Sequence, residues 1–181
     1  MHVFIAQPAW SIVLVMLAVA AVADLRTGEV PNAVAAAGAS AGVLAKLLAV
    51  GLGHSSLANL VSSTLLGLAA CSLVPLALYA LGGLGGADVK LFAAIGLCLG
   101  PLDGLGVQFW TQLFAAACLP VYFWRTGGAL RSLRISARLL ANCVLPRRLR
   151  RPIDREQLSS FKLVPAMFAA ALWVCVVRAG T

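Results

Sequence analysis

Gly82-Gly83-Leu84-Gly85-Gly86-Ala87-Asp88-Val89-Lys90 interrupts a very apolar chain with four glycines and a single carboxylate. Glycine lets backbone approach backbone closely, and an ionised Asp at membrane depth is costly enough that it usually marks a working site. One carboxylate rarely hydrolyses anything alone. The other acid at the mouth of an apolar segment is Asp24, in Asp24-Leu25-Arg26-Thr27-Gly28-Glu29-Val30-Pro31-Asn32. Whether these two acids meet decides what the chain can do.

Composition sets the class. Of 181 residues, 61% are hydrophobic and 11% charged, with a mean hydropathy of +0.96. Soluble chains carry about 25% charged residues, so a water-soluble domain is excluded and an all-α integral membrane protein is expected. The net charge of +8 does not point to nucleic acid, because the basic residues cluster between apolar segments. That pattern reads as membrane topology. Cys71, Cys98, Cys118, Cys143 and Cys175 form no CxxC pair and read as small core residues, so no metal and no disulfide framework is expected.

Working outward from the glycine stretch, Asp88 to Gly100 offers only 13 residues before the turn Gly100-Pro101-Leu102-Asp103-Gly104. At 1.5 Å per residue this helix covers about 20 Å, short of the roughly 30 Å hydrocarbon thickness. Asp88 is then expected in a recess, with glycine-rich backbone tolerated because it lines a water-accessible cavity. Upstream, Leu57 to Leu81 approaches the glycines, with Pro75 expected to kink it near the site. Before an outer turn at Gly53 to Ser56, Asn32 to Leu52 carries Gly38 and Gly42 at a GxxxG spacing suited to close helix contact. Lys46, near its outer end, is expected to snorkel to the interface.

The first span is Val3 to Ala23. Ala21-Val22-Ala23 has the form of a signal-peptide cleavage site, but the apolar stretch exceeds a typical h-region of about 7 to 15 residues and no Lys or Arg precedes it. Arg26 follows it, which orients the segment N-terminus out and delivers Asp24 to the cytoplasmic face. Arg26 to Pro31 reads as a short cytoplasmic turn.

Downstream, Leu105 to Trp124 is a further span, with Trp110 and Tyr122 to Trp124 as interfacial anchors, and Leu163 to Val177 is the last. Between them, residues 125–162 form a basic cytoplasmic loop, in which Leu130, Leu133, Leu140 and Val144 alternate with Arg131, Arg134 and Arg138 as an amphipathic helix on anionic headgroups. The expected architecture is one membrane-embedded domain, 1–181, a bundle of six transmembrane helices over 3–23, 32–52, 57–81, 88–100, 105–124 and 163–177, both termini outside. That orientation puts all 14 Lys and Arg residues inside except Lys46 and Arg178.

The chain contains no nucleotide-binding loop, HExxH or GxSxG, so ATPase, zinc-protease and serine-hydrolase chemistry lack their groups. Two neighbouring carboxylates are different: they cannot both ionise easily, so they share a proton. One then serves as base on water while the other donates to the scissile carbonyl. Read singly, Asp24 is a solvated helix end and Asp88 an N-cap, and Glu29 is a third nearby carboxylate able to replace Asp24. Lys90, two residues past Asp88, points to a different helix face.

Asp24-Leu25-Arg26 with Val30-Pro31-Asn32 resembles the first aspartate motif of the type IV prepilin peptidase family, and Gly85-Gly86-Ala87-Asp88-Val89-Lys90-Leu91 resembles its GxGDxKL motif. The likeness is to the short form associated with Flp (tight-adherence) pili and covers nearly the whole chain. It implies an aspartyl endopeptidase without cofactor. Asp24 and Asp88 are its catalytic pair, Gly85, Gly86 and Ala87 the supporting loop, and Lys90 and Asn32 candidate substrate contacts. The implied substrate is a prepilin-like protein with an apolar N-terminal helix, cleaved at the cytoplasmic face of the bacterial inner membrane. Two features depart from the family: Ala87 replaces the glycine before the second aspartate, and the cytoplasmic domain of the bifunctional methylating members is missing. A proton-coupled transporter subunit using Asp88 as a relay, or an inactive pilus-assembly scaffold, are the rival readings. The transporter predicts acids spread through several spans, yet the first, second, fifth and sixth spans have none inside them.

Overall fold

The computed structural model describes residues 8–81, 83–126 and 162–180. The amphipathic helix expected within 130–144 and most of the basic loop lie outside the described residues. Among the described residues there are six helices and no strand: α1 (Pro8–Thr27), α2 (Asn32–Gly51), α3 (Leu57–Ala80), α4 (Gly86–Leu99), α5 (Pro101–Thr126) and α6 (Val164–Gly180). Three of them, α1 to α3, are long and apolar enough to cross a membrane, and α6 is a shorter apolar helix. Their outward faces carry exposed Val15, Val19, Leu44, Leu48, Leu65 and Leu73, an apolar surface that suits lipid rather than water.

Helix ends follow local chemistry. Gly28 adopts φ +73°, which only glycine takes readily, and its N–H donates to Asp24 O at 3.0 Å to close α1. The helix thus runs four residues beyond the expected Ala23, so Asp24 lies inside its last turn, and Arg26 and Thr27 are helical rather than part of a turn. Pro31, extended at φ −60° and ψ 133°, stands at the N-cap of α2. Ser56 caps α3 by accepting from Asn59 N at 3.2 Å. The turn expected over Gly100 to Gly104 shrinks to Gly100 alone. Pro101 already opens α5, because a residue lacking an N–H suits the first helical position.

The short α4 sits at the centre, packed against α1, α2, α3 and α5. Leu91, Phe92 and Ile95 are fully buried on it, and its 14 residues span about 21 Å. Neighbours approach it through glycine. A Cβ on Gly67 of α3 would collide with the Gly96 carbonyl oxygen of α4, and one on Gly96 would collide with that of Gly67. Here backbone lies on backbone, a contact no larger residue permits. The GxxxG pair of α2 is used likewise: Gly38 faces Met16 of α1 and Gly42 faces Cys98 of α4. The helix α6 closes the bundle against α1 and α5. Trp110, expected as an interfacial anchor, is half-buried between α5 and α6, with its ring 5.4 Å from that of Trp173. Cys71, Cys98 and Cys175 are buried free thiols, whereas Cys118, expected in the core, is exposed on α5.

Lys46 does not snorkel outward. Its ammonium donates to Leu97 O at 2.7 Å and to Ser63 Oγ and Thr64 Oγ1, both at 3.4 Å. The reason is Pro101: it has no N–H to give the Leu97 carbonyl four residues earlier, whereas Gly100 N serves Gly96 O at 2.9 Å, so Leu97 O needs another donor. At the same end, Arg178 of α6 pairs with Asp103 of α5.

Gly96→Val or Gly67→Val should therefore cost more than the roughly 1–3 kcal/mol of ordinary overpacking, since the clash is with backbone that cannot rotate away. Gly106→Ala, whose added Cβ meets only Val174 Cγ1 at 3.8 Å, should be nearly neutral. Thermal unfolding in detergent should show a large Tm loss for the first two and little for the third.

Candidate active site

On α1 the buried residues Leu17, Ala20, Ala21 and Asp24 recur at helical spacing, so the carboxyl falls on the stripe facing the bundle interior. Asp24 is 8% exposed, the one buried carboxylate among the described residues, and its Oδ2 has no hydrogen-bond partner. An unpaired buried oxygen of this kind costs free energy, which is commonly accepted where a ligand will meet it. On α4, Asp88 shares its face with the buried Leu91, Phe92 and Ile95.

Asp88 is not the N-cap. That position belongs to Gly85, which places Asp88 third in the helix, where its carboxylate turns back onto the Gly85 N–H. This is one half of a capping box, and it locks the side chain at the helix mouth. A Cβ on Gly85 would lie 3.1 Å from Asp88 Oδ2, so glycine leaves the carboxylate its room. None of Gly83, Gly85 or Gly86 has positive φ, and Ala87 lies in the first turn of α4. The alanine for glycine exchange thus makes no conformational demand, because this site needs space at Gly85 rather than left-handed backbone at 87.

Both aspartates face one cavity of about 410 Å³, lined by Asp24, Gly28, Glu29, Val30, Gly85, Gly86, Ala87, Asp88, Lys162, Leu163 and Val164. Asp24 is within electrostatic reach of Asp88. Three separate pieces of chain build the walls: the α1–α2 turn, the α3–α4 turn and the entry to α6. The volume falls in the usual range for ligand sites, about 300–1,000 Å³, enough for a water and a short stretch of extended peptide.

The remaining residues divide. Glu29 lies in the cavity wall but is exposed, its backbone N–H donating to Thr27 Oγ1 at 3.3 Å and its carbonyl accepting from the same hydroxyl at 3.0 Å. Lys90 and Asn32 are not in the cavity lining. They meet each other, Lys90 Nζ donating to Asn32 Oδ1 at 2.6 Å, and so tie the start of α2 to the start of α4. Sequence reasoning missed Lys162. Its ammonium donates to Asp24 O at 2.8 Å and Leu25 O at 3.1 Å across 138 residues of sequence. The available signal was its place as the last cation before the final apolar run.

The profile of the type IV leader peptidase family matches residues 11–123, more than half of the chain and inclusive of both aspartate motifs. The chain belongs to that family. Neither a curated protein nor a solved structure matches it at a significant level. As a leader peptidase, the protein needs a site where water and a peptide bond meet, and the shared cavity has the dimensions for it.

Within this family setting the glycine geometry is testable. Gly85→Ala should lower kcat for leader cleavage by tenfold or more by pushing Asp88 Oδ2 aside. Ala87→Gly should keep activity and cost at most about 1 kcal/mol of helix stability. Cleavage kinetics of the two purified variants beside their thermal unfolding would check this.

Proposed function

We propose that the protein is a membrane-embedded aspartyl endopeptidase that removes the leader of a prepilin-like substrate, with Asp24 and Asp88 as the catalytic pair. The single observation that carries the reading is that two acids 64 positions apart in sequence, each in a motif of the family, line one cavity, with Asp24 Oδ2 buried and unpartnered. In the productive state one carboxyl is ionised and the other protonated. The carboxylate takes a proton from water as its oxygen attacks the scissile carbonyl carbon, and the carboxylic acid gives its proton to the carbonyl oxygen. Collapse of the resulting gem-diol breaks the C–N bond, and the departing amine takes a proton from the pair.

The topology that fits this reading has six crossings in the bacterial inner membrane, the cavity at the cytoplasmic side and both ends of the described chain outside. The start of α2, α4 and α6 and the end of α1, α3 and α5 share the cavity side, in keeping with the charge bias of the chain. The substrate, on this reading, is a small Flp-type prepilin whose apolar helix lies in the bilayer while its leader enters the cavity. Anionic lipid beside the basic segment 125–162 completes the setting.

Asp24→Asn and Asp88→Asn keep shape but remove the shared-proton chemistry, so each should abolish cleavage of a candidate prepilin in detergent or liposomes while the protein still inserts. Glu29→Gln should stay within a few-fold of wild type. The dependence of kcat/KM on pH should be bell-shaped, because activity requires one proton on the pair and is lost when it holds two or none. Normal cleavage by Asp24→Asn with loss in Glu29→Gln would move the partnership to Glu29, and normal cleavage by all three would refute an aspartyl mechanism.

For the topology, a single cysteine introduced near Arg147, on a background without the native five, should resist an impermeant outside reagent. It should label after the membrane is opened. Efficient labelling of intact cells would reverse the orientation.

A further inference from the structure

The two aspartates stand at opposite ends of their helices, and this makes their electrostatic situations unequal. Asp88 lies in the first turn of α4, where its burial opposes negative charge while the helix dipole and a backbone N–H favour it. Asp24 lies in the last turn of α1, at the carbonyl end of the dipole. It is also buried, with Oδ2 unsatisfied. What meets that negative helix end is Lys162, whose ammonium holds two of its last carbonyls, one of them Asp24's own, and whose side chain lines the cavity. We infer that Lys162 is the positioning residue of the aspartate pair: it grips the end of α1, so that Asp24 faces the cavity, and supplies the positive charge that lets the pair carry its single negative charge there.

The other described charges near the cavity do not do this. Glu29, on the α1–α2 turn, has the wrong sign. Arg26, on α1, lies outside the cavity lining, and Lys90, on α4, is engaged with Asn32. Lys162 also sits directly before Leu163 and Val164, both buried in the third cavity wall. The same two hydrogen bonds therefore anchor that wall to the helix carrying Asp24.

The inference rests on the aspartyl reading, and its test separates the two. Wild-type cleavage with both Asp→Asn variants inactive establishes the reading independently of Lys162. Lys162→Gln keeps N–H donors for the carbonyls but removes the charge, Lys162→Met removes both, and Lys162→Arg keeps both. With folding checked by thermal unfolding, kcat/KM is measured across pH for each. Loss of the cation makes a charge on the pair harder to form, so the acid limb of the bell should move to higher pH by about one unit in Lys162→Gln and Lys162→Met. Lys162→Arg should keep the wild-type position. Lys162→Met should also lower kcat below Lys162→Gln, because it lacks the grip on α1. A bell that stays in place while its height falls would make Lys162 a structural tether only, and unchanged profiles in both neutral variants would overturn the inference outright.

Discussion

Backbone contact between Gly67 and Gly96 is the constraint from which the rest of the bundle follows. It lets α3 lie directly on α4, and α4 can then be enclosed by four helices although it is only 14 residues long. A helix that short cannot present both ends at a membrane surface. Its start carries Asp88 in the first turn, in the cavity wall, and its far end meets Lys46. The cavity and that lysine thus mark the two ends of one short, tightly held helix.

Much of this was legible in the chain, for a physical reason. Gly28, Pro31, Gly53 and Gly100 punctuate apolar runs, and each stands at a helix boundary, so the order of the helices could be read, although α1 runs four residues past the expected Ala23 and α5 opens four before the expected Leu105. The two acids were recognisable because a carboxylate in an apolar context is rare and the motifs around it are specific. What could not be read were the directions of long side chains. Lys46 looked like a residue reaching for solvent, and it is the Leu97 carbonyl of a neighbouring helix, left without a donor by Pro101, that turns it inward. Lys162 belongs to a run of basic residues with no periodicity to single it out, and its partners lie on the first helix. Asp88 was read as the start of its helix, whereas helical structure begins at Gly86, because glycine in a first turn does not advertise itself.

The site joins two ways of holding a carboxylate. Asp88 is fixed locally, by a residue three positions before it, and that arrangement forms as soon as α4 does. Asp24 is fixed by tertiary structure, since the cation at its helix end arrives from the far side of the sequence. Half of the site is therefore encoded in one heptapeptide and half depends on the whole bundle being assembled. That division explains why a short motif identifies the family so readily while saying little about how the first aspartate is supported.

The ammonium of Lys46, with Ser63 and Thr64 around it, satisfies the Leu97 carbonyl whose helical donor is missing because residue 101 is proline. The short helix thus hands the last of its hydrogen bonding to a side chain from α2, and a single ammonium joins α2, α3 and α4 at that end.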